Sequence, residues 1–367
     1  MFLCVIYTSI SYAVVLPEER VDALYHNYNG GGITIDGPSI LVRKNFADKV
    51  SVSANYYVDN ISSASIDVIL LASAYAEKRV QTSIGVDYLN DKSIISYNYT
   101  QSIENDYEAI THFFGVSQEM FGGLTTVNLA YSVGDNVVTK TGDDSFSDVA
   151  GFKNYRTSVA QILSKNLILS LAYDIITDEG FLNNPYRQVR FLSGSGFSLQ
   201  PEDYPRTRTS NAFSFNLRYY LPYRAAVYGA YRYFIDTWGI QADTYEIGYI
   251  HPLNDNWLLE TNIRYYQQTQ ADFYSDLFPF ESAQNFLARD KELSDFQDYT
   301  LGFGISYEFE NESLGPFEKG SANFHYSYVT FDYNNFRDAT ATGFVVGNEP
   351  LYSFSASVIR FYLSFWF

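Results

Sequence analysis

The sequence predicts an all-β fold, a closed antiparallel transmembrane β-barrel of about 16 strands with short periplasmic turns and longer extracellular loops, and three observations predict it. First, segments of about ten residues alternate apolar and polar side chains many times over, which is the period of a strand with one greasy face and the length of a tilted strand crossing a bilayer. Second, 34 Tyr and 29 Phe make the chain 18% aromatic, while only 18% of it is charged; average soluble domains carry about 25% charged residues. Third, the chain closes on SVIRFYLSFWF, in which Ile359, Phe361, Leu363, Phe365 and Phe367 share one face. Chain ends are ordinarily polar and frayed, so this one is expected to be held in a sheet to its last residue.

Apolar residues make up 46% of the chain, yet no stretch reaches the roughly 18 uninterrupted apolar residues of a spanning helix. IDVILLASAYA, from Ile66 to Ala76, is too short and contains Asp67. The aromatic and β-branched content excludes disorder. At the start, MFLCVIYTSISYA gives an apolar run and then Ser11-Tyr12-Ala13, a small-x-Ala cleavage pattern without a basic leader. Residues 1–13 are therefore expected to be a signal-peptide remnant and residues 14–367 a single barrel domain. Cys4 is the only cysteine, so the mature chain has neither a disulfide nor a thiol nucleophile.

The clearest strands lie between Arg208 and Gln268. Phe213, Phe215, Leu217 and Tyr219 alternate with Ser214, Asn216, Arg218 and Tyr220. After LPYRA, Val227, Gly229, Tyr231, Tyr233 and Ile235 alternate with Tyr228, Arg232 and Asp236. Tyr245, Ile247 and Tyr249 then oppose Thr244, Glu246 and Gly248, and beyond HPLNDN, Trp257, Leu259, Ile263 and Tyr265 oppose Glu260, Asn262, Arg264 and Tyr266. The spacing is that of hairpins. A propeller would repeat at about 40 residues, and no such repeat is found.

Counting back from Phe367, short turns are predicted at Glu310 to Gly320, HPLNDN, LPYRA, Leu163 to Asn166, Phe121 to Gly123, Leu89 to Lys92 and Ala47 to Lys49. Long loops are predicted around Asn334 to Pro350, Thr269 to Ser294, Thr177 to Arg206, Asp135 to Gly151 and Asn60 to Glu77. Short outer connections fall near Glu104 to Tyr107 and Trp238 to Gly239. With a first turn at Gly30, the strand number is even. Closure follows from the solvent, because every backbone N–H and C=O in hydrocarbon must be paired and an open sheet leaves edges. Tyr and Phe fit girdles at both interfaces. The row Phe361, Leu363, Phe365 and Phe367 also resembles the C-terminal assembly signal of bacterial outer-membrane proteins, which implies the barrel-assembly machinery as a partner, with outer-membrane lipid and lipopolysaccharide around the wall.

Long strings of the chain carry a resemblance. GGGITIDGPSILVRKNFADKVSVSANYYVDNISSASIDV from Gly30, ITDEGFLNNPYRQVRF from Ile176, YPRTRTSNA from Tyr204, RYYLPYRAA from Arg218, YRYFIDTWGI from Tyr231, ADFYSDLFP from Ala271 and QNFLARDKELS from Gln284 are similar to a bacterial outer-membrane β-barrel family known as a domain of unknown function, the DUF3570 type. The resemblance spans nearly the whole chain after residue 13. It implies the outer membrane of a Gram-negative bacterium and supplies no substrate or catalytic residue. It also implies redox-related neighbours, so a periplasmic redox protein or cytochrome is one partner the barrel would dock.

His26, His112, His251 and His325 show no metal-ligand spacing, and the motifs of zinc proteases, nucleotide loops and nucleophile elbows are absent from the sequence. No metal, cofactor or catalytic residue is expected; His325, predicted inward beside Ser327, is the least implausible base for the third-ranked reading, a hydrolase. The stronger pattern is inward charge. The phase that turns Phe215 to lipid turns Arg218, Arg232, Glu246, Glu260 and Arg264 to the lumen, where they either line a hydrated pore or pair with one another. Arg187 and Arg190 lie in a loop of mixed apolar and basic content that reads equally as a constriction or as a rigid cap. Net charge is −18, a poor match to nucleic acid. VILLASAY reads as a docking surface or as an extended strand. These features point to a porin-like passive channel for small hydrophilic solutes or ions, with a barrel that docks a periplasmic or surface partner as the alternative.

Overall fold

A computed structural model describes residues 15–63, 75–310 and 315–367. The expected signal remnant, Cys4, most of VILLASAY and part of the turn from Glu310 to Gly320 lie outside the described residues. The wall starts with β1 (Arg20–Gly30), β2 (Ile33–Phe46), β3 (Val50–Ser63) and β4 (Tyr75–Asn90). It continues through β5 (Ser93–Ile103), β6 (Tyr107–Met120), β7 (Thr125–Thr139), β8 (Ser147–Ser164) and β9 (Leu167–Gly180). A small hairpin, β10 (Gln188–Ser193) and β11 (Gly196–Pro201), stands apart in the next long loop. The wall resumes with β12 (Thr207–Tyr220), β13 (Ala226–Asp236), β14 (Gln241–Pro252) and β15 (Trp257–Gln268). It ends with β16 (Phe296–Glu310), β17 (Lys319–Arg337) and β18 (Leu351–Trp366).

Every wall strand pairs antiparallel with its neighbours, and β18 returns to β1 in the register Arg20 with Trp366 through Gly30 with Ala356. Among the described residues sixteen strands thus form a closed transmembrane ring, and none of these wall strands keeps an unpaired edge. Phe215, Ile247, Ile263 and Leu301 are exposed on the outer face, as the period-two reading requires. Tyr231, Tyr245, Tyr265 and Tyr299 follow one another on that face across β13 to β16, with ring centroids 5.0, 6.4 and 4.8 Å apart. They form part of an aromatic girdle.

The turns fall where the sequence places them, but several strands outrun the predicted loops. β7 and β8 are still paired at Thr139 with Ser147, so the loop expected from Asp135 to Gly151 shrinks to residues 140–146. Likewise β17 reaches Arg337. A ladder bond satisfies the backbone as well above the membrane as within it, so polar composition alone does not end a strand.

Two inward glycines keep rings flat against the wall. A Cβ at Gly248 would stand 2.2 Å from the Tyr228 ring, and one at Gly304 would stand 2.6 Å from His325 Nδ1. Each ring therefore lies along the neighbouring strand instead of projecting into the lumen.

Buried apolar clusters sit largely at the loop end. Residues 181–206, 269–295 and 338–350 fold together into a cap. Tyr204, Trp238 and Phe273 meet there with centroids 5.2 to 5.6 Å apart, beside Ala271, Ala288 and Leu293. Val189 of β10 packs with Phe278 and Leu287 in a second cluster. The backbone follows, since Leu192 N–H donates to the Phe278 carbonyl (2.9 Å) and Phe278 N–H to the Arg190 carbonyl (2.9 Å).

Candidate functional site in the barrel lumen

Strand phase puts Arg218, Arg232, Glu246, Glu260 and Arg264 on the inner face. Ser214 opposes Arg232, Glu246 opposes Arg264, and Glu260 opposes Gly304, which opposes His325. Their partners differ. Arg264 Nη1 donates to Asp298 Oδ1 at 2.9 Å, while Glu246 Oε1 accepts from Tyr228 (2.7 Å) and Asn262 (3.2 Å). Glu260 has Arg218 and Arg360 as electrostatic neighbours. Among the described residues, Arg218 and Arg232 have no carboxylate within ion-pair range; each guanidinium lies against a ring, Tyr228 at 5.9 Å and Phe234 at 5.6 Å.

The inner wall contains further pairs outside the five predicted residues. Arg208 on β12 donates twice to Asp236 Oδ2 (2.8 and 2.5 Å), and Arg156 on β8 faces Asp174 on β9 at 3.4 Å. Near the loop end Arg79 pairs with Asp59 at 2.5 Å, His26 Nε2 donates to the other Asp59 oxygen at 2.7 Å, and Tyr57 stacks on His26 at 4.9 Å. A common asymmetry runs through these pairs. The arginine is the solvent-facing partner and the aspartate the buried one: 33% against 5% for Arg264 and Asp298, 47% against 9% for Arg156 and Asp174, and 25% against 0% for Arg208 and Asp236. The sequence contains a signal for Asp298 and Asp174, because each continues an inward row already in phase. Which arginine each one meets depends on register.

Short hydroxyls stand between these charges on β4 to β9. Ser83, Ser96, Thr111, Ser132, Ser158 and Ser170 occupy inward positions on β4 to β9, and all six are partly exposed.

Arg187 and Arg190 lie in the cap. Arg190 is 1% exposed. Its Nη1 donates to Glu349 Oε1 (2.7 Å), its Nε to the Asp276 carbonyl (2.8 Å), and Nη2 to the Asp276 carboxylate. Arg289 Nη2 also meets Asp276, at 3.0 Å. One guanidinium thus ties together the three segments of the cap. Arg187 pairs with Asp290. Nearby, Tyr204 donates to Glu202 at 2.6 Å and Arg289 N–H donates to it at 2.7 Å. Burial pushes Glu202 up to about 7, with Asp290 adding to the effect and Arg187 opposing it. Burial also raises Glu349, but the bonds and charge of Arg190 together with backbone N–H donors outweigh it and leave that carboxyl below its ordinary value.

At the other side of the mouth, Glu77, Glu104 and Asp106 place carboxylate oxygens within 4.8 Å of one another. Burial and then Glu77 raise Glu104 to about 7. Tyr186 of the cap donates to Asp106 at 2.5 Å and accepts from Thr141 N–H at 2.6 Å, which anchors the cap to two further loops. His325 faces inward as expected, stacked on Tyr362 with centroids 5.8 Å apart. On β18 Phe361, Leu363 and Phe365 follow the outward phase at the turn end, and Phe365 and Phe367, just past the strand, each pack on Phe317.

A family model described as "Protein of unknown function (DUF3570)" matches residues 70–328. Among solved structures the chain is similar to a bacterial polysaccharide outer membrane secretin, at 7% identity over 95% of this chain and 98% of that one, with a TM-score of 0.49. It is similar to the CymD monoaromatic hydrocarbon channel at 8% identity, over 95% and 88% of the two chains, with a TM-score of 0.44. The outer membrane protein opdK from Pseudomonas aeruginosa matches at 9% identity, over 95% and 99%, with a TM-score of 0.44. No curated protein matches the sequence.

Proposed function

The chain belongs to the DUF3570 family, and we propose that it works as a porin-like passive channel for small hydrophilic solutes in the outer membrane of a Gram-negative bacterium. One observation carries this reading: among the inward side chains of β4 to β9 a row of short hydroxyls, from Ser83 to Ser170, is partly exposed, and charged groups such as Arg156 and Arg264 are partly exposed on the same interior. Side chains this short leave space that water fills, and a wide ring with a polar lining conducts by diffusion. Arg218, Arg232, Glu246, Glu260 and Arg264 line the route. Arg187 and Arg190 hold the cap that narrows its outer end, and the row ending at Phe367 serves assembly. Single-channel recording of the refolded protein in a planar bilayer tests this. Steady currents are expected; a silent bilayer, with folding verified by heat-modifiable gel migration, sinks the channel reading.

A second reading is favoured by the outer surface. Phe280, Phe344 and Val345 are exposed on two cap loops joined through Arg190, and exposed apolar groups mark contacts. A barrel that docks a partner protein, with little conductance of its own, would use such a face. Pull-down with Phe344→Ser and Val345→Ser as controls tests it; a partner retained equally by the wild type and both variants overturns this choice of surface.

A further inference from the structure

The pairing asymmetry decides what a solute in the lumen meets. On β8, β12 and β15 the arginines of three ion pairs face the interior, while Asp174, Asp236 and Asp298 lie buried beneath them. Arg232 on β13 sits among them with no carboxylate within ion-pair range among the described residues. Counted as formal charge this stretch is nearly balanced; counted as accessible charge it is positive.

The guanidiniums are also held ready. Arg208 lies 4.5 Å from the Trp238 ring, Arg232 5.6 Å from Phe234 and Arg264 5.4 Å from Tyr266. For Arg208 and Arg264 a ring on one face and a buried aspartate on one edge fix the plane of the group, and Arg232 has the ring alone. A guanidinium carries five N–H donors, and Arg264 spends only the Nη1 bond to Asp298 on a hydrogen bond. Its remaining donors form the planar fork that matches a carboxylate or a phosphate.

We propose that the inner wall between β8 and β15 is a recognition surface for small anions bearing a carboxylate or phosphate group, with Arg232 as the central contact and Arg156, Arg208 and Arg264 around it. The proposal rests on the channel reading and names its solute class. Three inward, partly exposed carboxylates are the counterweight: Asp178 opposes Arg208 in register, Glu260 lies on β15, and Glu246 opposes Arg264 but is held by Tyr228 and Asn262.

The test is the reversal potential of the refolded protein across a potassium chloride gradient, for wild type, Arg232→Gln and Glu246→Gln, with succinate or inorganic phosphate then added to one side. The wild type is expected to favour chloride. Arg232→Gln is expected to lower that preference by about twofold or more, and Glu246→Gln to raise it. Succinate or phosphate should reduce chloride current through the wild type and lose most of that effect in Arg232→Gln. A response to succinate alone assigns carboxylates; a response to phosphate alone assigns phosphates. A conducting channel that favours potassium, or whose selectivity and block ignore Arg232→Gln, overturns this inference and leaves the channel reading standing. A silent bilayer overturns both.

Discussion

Arg190 donates to both oxygens of Glu349, at 2.7 and 3.2 Å, across 159 positions of sequence and with both side chains buried. With Asp276 on the third loop, this contact makes the cap one unit instead of three independent loops.

Replacing Arg190 by Ala leaves Glu349 and Asp276 buried without their cation, and breaking one side of such a pair costs about 3–5 kcal/mol. The cost should fall on the cap, because the wall has its own closed ladder. Hydrogen exchange in Arg190→Ala should therefore accelerate across residues 188–201 and 338–350, while the strands keep their protection. Faster exchange in the wall as well would show that cap and barrel are not separable.

Cap stability should depend on pH with a known sign. Glu202 is raised to about 7 in the folded protein, so the folded state binds that proton more tightly than the unfolded chain does. Its contribution is complete below the ordinary carboxylate range and is lost as pH rises through about 7. Glu349 is lowered and acts with the opposite sign, but only in the acid range below its ordinary value. Limited proteolysis should thus cut the cap faster at about pH 8 than at about pH 6, and Glu202→Gln should reduce the difference, leaving the part due to Glu104 beside the Asp106 anchor. Equal cutting in the wild type at both values contradicts the role given to Glu202.

The two faces of β14 should respond oppositely to one charge. Ile247 is 71% exposed on the outer face at the middle of the strand, so Ile247→Arg should cost about 2–4 kcal/mol in urea-dependent folding into vesicles. Thr244→Arg, on the inner face of the same strand and directly opposite Arg232, should cost about 1 kcal/mol, because the lumen hydrates the new charge and only the repulsion from Arg232 opposes it. Similar losses for both would mean that the interior is not hydrated at that level.

Gly248→Leu should displace the Tyr228 ring, whose atoms lie 2.2 Å from where a Cβ would stand. The ring and the new side chain then crowd the lumen, and Tyr228 loses its bond to Glu246. Overpacking of this kind costs about 1–3 kcal/mol and should reduce single-channel conductance. Unchanged conductance would show that the narrowest level lies elsewhere.

The wall was legible in the sequence because strand phase is a local property. Once Phe215 and Leu217 are known to face lipid, Arg218 must face inward, and no distant residue can alter that. The cap was not legible, because its loops lack alternation and their cores join Val189 to Phe278 and Tyr204 to Trp238 and Phe273. Arg190 shows the difference well. Its composition fits a constriction or a cap equally, and its burial is decided by Asp276 and Glu349 on loops far along the chain. The lumenal pairs fall between these cases. Arg264 and Asp298 are each in phase, but their meeting depends on the register of β15 with β16. The same register buries the aspartate under the arginine.

The seam between β1 and β18 brings the Phe367 N–H to the Glu19 carbonyl at 3.4 Å, at the same rim as the short turns. A ring of paired strands has no preferred first member, so the point at which the polypeptide is interrupted is a matter of connectivity alone. Linking Phe367 to Leu16 and reopening the chain at Asp48 would yield a circular permutant with the same neighbours for every strand. It would differ in one respect, the order in which the strands become available during synthesis, and the seam would then close between β2 and β3.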